Sequence, residues 1–339
     1  MKKLLLCIAA ALLLGWAWNA LFNYALSPDF CFWNRCADAT DAWNAQLRAE
    51  SDAPCYVFGG GSETRTTVDP VYAHERYGMR VVNAAAQGLY GGPCNAEYAL
   101  SYLCAGDTLV FPLTAYGLDE APTPSGLRFL FRRFGKAMFA DGWIPCCRDT
   151  VRPLAAGDAL ALSSCFTKLL TTGSFRYRYE TDARVHESGW MEVLTTDEQE
   201  RPALHSYAAV VPGMSRAALV ACLRLQEFCR AKGCKLVFRL HLSHADESCR
   251  VREAMAALSA VRAGLCVLRD PHLGCSENPR DFADTDNHLS AEGVRRRMDD
   301  LCPALKQQRY WTEEELLREL RLLGRAAARP TLSTPSAAL

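Results

Sequence analysis

Two short segments of the chain carry side chains that could perform nucleophilic chemistry together. Gly59-Gly60-Gly61-Ser62 follows an apolar run at residues 55–58, and His288 closes a polar segment that also contains Asp284 and Asp286. A serine on a tight glycine turn after a strand is a position at which α/β enzymes hold a nucleophile. A histidine and an aspartate can supply the base and the group that orients the base. If the two segments meet in space, they predict acyl transfer through a covalent acyl-serine.

Each segment also has an interpretation without chemistry. A glycine turn followed by a serine that caps a helix is common in proteins, and an Asp/His loop is more often polar surface than a site. A phosphate cradle is a third interpretation of the glycines, but no Gly-Lys-Ser/Thr or Gly-x-Gly-x-x-Gly pattern follows them. The catalytic interpretation therefore depends on whether the two segments meet.

Composition restricts the class of protein. The 339 residues are 50% hydrophobic and include 38 basic and 38 acidic side chains, which indicates a globular chain with one large α/β domain or two small ones. The balanced charge argues against a nucleic-acid binder, which would show a basic excess. The 16 cysteines include no Cys-x-x-Cys pair, so we expect mostly buried thiols with one to three disulfides, and neither a metal nor a cofactor.

The N-terminus has the pattern of an export signal. Lys2 and Lys3 precede a wholly apolar run at residues 4–14, and the apolar character continues to residue 26. A bilayer core needs about 20 apolar residues, so residues 1–26 predict a transmembrane signal anchor with the rest of the chain on the periplasmic side of the inner membrane. The alternative is secretion after signal cleavage at Gly15-Trp16-Ala17.

Short apolar runs bounded by turn residues predict five buried parallel strands, at residues 55–58, 79–83, 107–113, 235–240 and 265–268. Helical patterns separate most of these runs, which indicates βαβ units and a parallel sheet with helices on both faces.

We expect five successive regions along the chain. They are the anchor (1–26), a linker with one short helix (27–53), a catalytic domain (54–310), a C-terminal helix (311–328) and a disordered tail (329–339). Residues 117–212 break the strand–helix rhythm and are interpreted as an insertion that builds a lid or a substrate wall.

The order of these motifs resembles the SGNH/GDSL hydrolase superfamily. In that family a strand ends in a Gly-x-Ser turn, matched here by Gly60-Gly61-Ser62, and the next strand ends in an Asn followed by a Gly, matched by Asn83 and Gly88. The last motif is Asp-x-x-His or a close variant, matched by Asp284 or Asp286 with His288. The resemblance implies a three-layer α/β/α sandwich with a central parallel sheet, the flavodoxin-like fold of SGNH hydrolases.

The resemblance also implies a role for each matched residue. Ser62 would be the nucleophile, His288 the base, and Asp284 or Asp286 the group that orients the imidazole. The amides of Ser62 and Gly88, with Gly61 in the turn between strand and serine, would form the oxyanion site.

One part of the family pattern is missing from this sequence. The third family motif, Gly-x-Asn-Asp, has no counterpart after the run at 107–113. Thr114 or Asn83 could replace its side-chain donor, or the oxyanion site could have backbone donors alone.

The resemblance to membrane-anchored bacterial members implies a substrate class. We expect an esterase or O-acyltransferase that acts on O-acetyl groups of an extracytoplasmic glycan, or on another small ester, in contact with envelope polysaccharide machinery. The alternative is a catalytically weak or inactive SGNH-like protein that serves such a system as a binding or assembly component. The missing third motif favours this alternative, and the retained Ser62 and His288 oppose it.

Two further groups of side chains have competing interpretations. His241 and His244 could ligate a metal or could line the pocket, because they follow a predicted strand. Tyr177, Tyr179 and Trp190 in the insertion could stack on sugar rings or could simply pack against the domain.

Overall fold

A parallel four-stranded sheet organises the molecule. The computed structural model describes residues 2–21, 28–113, 117–134, 143–144, 179–194, 214–244, 247–285 and 287–327. The strand order is β2-β1-β3-β6, formed by β1 (Tyr56–Gly60), β2 (Val81–Ala85), β3 (Thr108–Pro112) and β6 (Lys235–Arg239). Every pair of neighbours in this sheet is parallel. The fold is therefore mixed α/β with a central parallel sheet.

The strands are apolar on both sides because both faces of the sheet are covered. Val57 and Leu109 belong to one buried cluster, whereas Phe58 and Val110, the next residues along the same strands, belong to another. Successive side chains of a strand point to opposite faces, so each cluster fills one side of the sheet. Helices cover both clusters, which is compatible with a three-layer α/β/α sandwich.

The helices alternate with the strands along the chain. They are α1 (Lys2–Leu21), α2 (Pro28–Glu50), α3 (Ser62–Thr67), α4 (Pro70–Tyr77), α5 (Gly92–Leu100), α6 (Pro124–Phe134), α7 (Tyr179–Asp182), α8 (Arg216–Ala231), α9 (Glu247–Arg262), α10 (Ala291–Lys306) and α11 (Glu313–Ala327). Two small sheets accompany them: β4 (Ala183–Val185) with antiparallel β5 (Met191–Val193), and β7 (Ser243–His244) with parallel β8 (Cys275–Ser276).

The predicted fifth strand is only partly formed. Val267 makes a parallel bridge to Phe238 of β6, and Leu268 makes an antiparallel bridge to Tyr310. Residues 266–268 therefore lie against the outer edge of β6 without continuing as a full strand.

The prediction of a linker at residues 27–53 is wrong. Nearly all of this segment is helix α2, and its Phe32, Trp33 and Leu47 side chains are buried in the larger core cluster. Thr40 donates a hydrogen bond to the Asn83 carbonyl of β2 at 3.2 Å. Because α2 packs directly on the sheet, it belongs to the domain.

Two predictions about the ends of the chain have different outcomes. The side chains of residues 2–17 on α1 are exposed, and among the described segments we find no helix with the length and apolar character required to cross a bilayer. The membrane anchor therefore stays a prediction. The tail at 329–339 lies outside the described residues.

The prediction of one to three disulfides finds no support among the described cysteines. All 13 of them are free thiols, and nine of these are buried. They behave as small apolar side chains of the core.

Candidate active site

The glycine turn places Ser62 at the first position of α3. A Cβ atom on Gly59 would lie 2.6 Å from the Ala99 Cβ, and Gly60 has a φ of +141°, so both positions require glycine. Ser62 follows β1 at the carboxyl edge of the sheet, where the strand order reverses between β1 and β3. Ligand sites of open α/β sheets form at this type of switch point.

The structure brings Ser62, His288 and Asp284 together. His288 Nε2 lies 3.0 Å from Ser62 Oγ, although the two residues are 226 positions apart in the chain. His288 Nδ1 lies 2.9 Å from Asp284 Oδ1. With the ring proton on Nδ1, the imidazole donates to the carboxylate and Nε2 accepts the serine proton. The arrangement can therefore activate the serine hydroxyl.

A closed polar loop orients His288. The Ala283 N–H donates to the His288 carbonyl at 2.8 Å, and the Thr285 hydroxyl accepts the His288 N–H at 3.1 Å. Ser290, directly after the loop, caps α10 by accepting the Gly293 N–H at 3.2 Å. These bonds fix the His288 backbone, and the His288 side chain is buried.

The remaining predicted site residues have different positions. Asp286 and Thr114 lie outside the described residues. Of the two candidate aspartates the structure describes Asp284, and this residue lies at the imidazole. Asn83 is completely buried below α3, and its amide donates to the carbonyls of Thr64, Arg65 and Val68. The prediction that Asn83 could donate to the oxyanion is therefore wrong. Its side-chain N–H groups bond instead to the backbone that follows Ser62.

Backbone amides remain as donors at the predicted oxyanion site. Ser62 is the first residue of α3, and Gly88 begins a short 3-10 turn (Gly88–Tyr90). The N–H groups in the first turn of a helix have no acceptor within that helix. The Ala86 N–H donates to the Gly60 carbonyl at 3.0 Å, so the chain leading to Gly88 runs beside the Gly60-Gly61 turn.

A buried ion pair that we had not predicted lies next to the nucleophile. Glu63 directly follows Ser62, and its carboxylate accepts from both terminal nitrogens of Arg239 at 2.9 and 2.5 Å. Both side chains are fully buried. Burial alone would raise the pKa of Glu63, but Arg239 and His241 lower that pKa to about 2. The sequence could have predicted this pair from Arg239, which ends an otherwise apolar strand. A buried arginine at such a position requires an acidic partner.

Further polar contacts hold α3 from the insertion and from α2. Arg65 donates to the Thr40 hydroxyl and to the Gly189 carbonyl, both at 2.8 Å, and also to the Ala85 carbonyl. Trp190 donates from Nε1 to the Thr66 carbonyl at 3.0 Å and is buried. Trp190 therefore packs against α3 instead of offering a face to a sugar ring.

Tyr179, in the described part of the insertion, reaches the triad itself. Its hydroxyl lies 3.0 Å from Asp284 Oδ2 and 3.2 Å from His288 Nδ1. Tyr177 lies outside the described residues. The sequence had offered sugar stacking or packing for these tyrosines, and neither interpretation anticipated a bond to the triad.

His241 lies beside the buried ion pair. Its Nδ1 is 3.8 Å from Glu63 Oε2, and no group of three or more His, Cys, Asp or Glu residues in the described part of the chain could hold a metal ion. Burial lowers the pKa of His241 from 6.5 to about 4, and Arg239 acts in the same direction while Glu63 opposes it.

This pKa predicts a loss of stability in mild acid. The unfolded chain binds a proton at His241 near pH 6.5, whereas the folded protein binds it only near pH 4, so the stability contributed by the neutral ring is complete above pH 6.5 and is lost as the pH falls to 4. The slope approaches about 1.4 kcal/mol per pH unit. In urea titrations at pH 7, 6, 5 and 4, His241→Asn should flatten this part of the profile. His272→Asn, at a mostly exposed histidine, should leave it unchanged; equal slopes in both variants would contradict the assignment.

No family model matches the chain, and no curated protein and no solved structure is detectably similar to it. The resemblance to SGNH hydrolases therefore stays a prediction that depends on the motifs and their geometry.

Proposed function

We propose that this chain is a serine ester hydrolase or O-acyltransferase of SGNH type, with Ser62 as nucleophile, His288 as general base and Asp284 as the orienting carboxylate. One observation carries the proposal. His288 lies within hydrogen-bond distance of Ser62 through Nε2, at 3.0 Å, and of Asp284 through Nδ1, at 2.9 Å. Nucleophile, base and orienting group in this order are the recurrent arrangement for acyl transfer.

The reaction would follow from this geometry in two halves. The Ser62 oxygen forms a bond to the ester carbonyl carbon while His288 Nε2 takes its proton. The tetrahedral intermediate then collapses, the bond to the alcohol oxygen breaks, and His288 returns the proton to that oxygen. In the second half water or a sugar hydroxyl attacks the acyl-serine, with His288 again taking the proton and returning it to Ser62.

The oxyanion would be held by the backbone amides of Ser62 and Gly88. A missing oxyanion donor typically costs about 3 kcal/mol of transition-state stabilisation. With the Asn83 amide engaged by backbone carbonyls, we expect turnover slower than that of a hydrolase with a side-chain donor as well.

The substrate class rests on resemblance and on the N-terminal pattern. An O-acetylated glycan outside the cytoplasm fits the motifs shared with membrane-anchored bacterial SGNH-type proteins. Either a signal anchor or a cleaved signal peptide would bring the domain to such a substrate and to the envelope polysaccharide machinery.

A second candidate function is that of a binding or assembly component without turnover. The observation that favours it is the engagement of Asn83 with the backbone of α3, since this removes the one described side chain that we had expected to hold the oxyanion. The triad geometry favours the enzyme.

A serine-directed phosphonate tests the proposal directly. We expect a fluorophosphonate to form one covalent adduct on Ser62, which peptide mass spectrometry would locate, because only an activated serine reacts with such a probe. His288→Gln should prevent labelling by removing the base.

The control for this experiment is Ser259→Ala, a serine whose hydroxyl bonds to the Met255 carbonyl of its own helix. It should label like the parent protein. If the folded protein forms no phosphonate adduct at Ser62, the enzyme proposal is refuted. The second candidate function, a binding or assembly component, would then be favoured.

A further inference from the structure

We propose that Tyr179 is a positioning residue of the triad, which holds the Asp284 carboxylate in the orientation that the imidazole needs; this inference rests on the function proposed above. The Tyr179 hydroxyl is 3.0 Å from Asp284 Oδ2, while Asp284 Oδ1 faces His288 Nδ1 at 2.9 Å. Tyr179 and His288 therefore bind different oxygens of the same carboxylate.

The protons at the site determine the direction of these bonds. Ser62 can give its proton to His288 only when Nε2 carries none, so Nδ1 carries the ring proton and donates it to Asp284. The Tyr179 hydroxyl has a single proton, and Asp284 Oδ2 accepts it. The phenol oxygen, 3.2 Å from Nδ1, is a second and longer acceptor for the ring proton. Rotation of the carboxylate about its Cβ–Cγ bond would break its bonds to Tyr179 and to His288.

Ring packing holds Tyr179 in this position. Its ring lies 6.2 Å from the Phe32 ring of α2, with 32° between the planes, and 6.0 Å from the His288 imidazole in an edge arrangement. Glu180 also pairs with Arg35 of α2 at 3.4 Å, but this pair is largely exposed and adds little energy. The aromatic contacts therefore fix the direction of the hydroxyl.

The segment that contains Tyr179 also contacts α3, the helix that begins at Ser62. Residues 179–194 contain Gly189 and Trp190, which bond to Arg65 and to the Thr66 carbonyl of α3. One segment of the insertion thus supports both the helix that begins at Ser62 and the carboxylate of Asp284. Because Tyr179 acts on the carboxylate, its loss should affect the chemical step more than substrate binding.

The test is Tyr179→Phe in the full-length protein, which keeps the ring and removes only the hydroxyl. On p-nitrophenyl acetate, kcat should fall about tenfold with KM unchanged, since a hydrogen bond to a charged group is lost in the transition state. In proton NMR spectra the downfield signal of the His288 Nδ1 proton, identified by its absence in His288→Gln, should move and exchange faster with water.

A matched control is Tyr72→Phe, which removes another tyrosine–aspartate bond, to Asp299 at 2.8 Å on the outer surface. It should change neither kcat nor the Nδ1 signal. If Tyr179→Phe keeps the parent kcat and an unmoved signal, the inference is overturned while the proposed function stands. If the parent protein hydrolyses no ester but the signal still moves, the positioning role stands and the proposed function fails.

Discussion

Replacement of Ser62 by alanine is expected to lower kcat/KM for a chromogenic acetyl ester by about 10⁴-fold or more, without unfolding the protein. The Ser62 oxygen forms the acyl bond, so the acyl-serine cannot form without it. Helix α3 should remain folded without the Oγ atom, since its cap residue is Gly61 and Ser62 Oγ bonds to the side chain of His288 instead of capping the helix. Circular dichroism and urea titration would check the fold beside the kinetic assay.

The effect of a second substitution separates a triad from two independent residues. His288→Ala alone should cost a comparable factor, and Ser62→Ala with His288→Ala should be no slower than either single variant, because the two side chains act as a unit. Multiplicative losses would show that His288 contributes in another way. Unchanged rates in Ser62→Ala would exclude the acyl-serine mechanism.

Breaking the ion pair beside the nucleophile is expected to have the largest effect on stability. Glu63→Ala leaves Arg239 charged, buried and without its carboxylate, and Arg239→Met leaves Glu63 in the same situation. Each should lower the free energy of unfolding by about 3–5 kcal/mol, as measured by urea denaturation at pH 7. The pKa of Glu63, lowered to about 2, has the same cause.

Two controls sharpen this prediction. Glu63→Leu combined with Arg239→Met should recover most of the lost stability, because buried pairs can be replaced by apolar side chains of similar volume. Glu314→Ala, in an exposed pair with Arg318 at 3.5 Å, should change stability by less than about 0.5 kcal/mol. A double variant as unstable as the sum of the two single variants would show that the pair does not act as a unit.

Local patterns predicted the strands and the turn better than they predicted α2. The four main strands lie within two residues of the predicted runs, since a short apolar segment between turn residues has few other structures. Helix α2 was underestimated because polar Asn34 and Thr40 interrupt its buried face. Asn34 bonds to the Phe30 carbonyl one turn earlier in α2, whereas Thr40 meets the Asn83 carbonyl of β2 only when the helix packs on the sheet.

The sequence by itself determined the strand, the glycine turn with Ser62 and the loop with His288, because glycine conformation and near-neighbour hydrogen bonds are local properties. Only the tertiary structure decided which residues meet: it placed Asp284 at the imidazole, engaged Asn83 with backbone carbonyls, paired Glu63 with Arg239 and brought Tyr179 to the carboxylate. Asp284 and His288 are four residues apart, but the other contacts join residues that lie 15 to 176 positions apart in the chain. Their distances follow from how the helices and the insertion pack on the sheet, which no local pattern encodes.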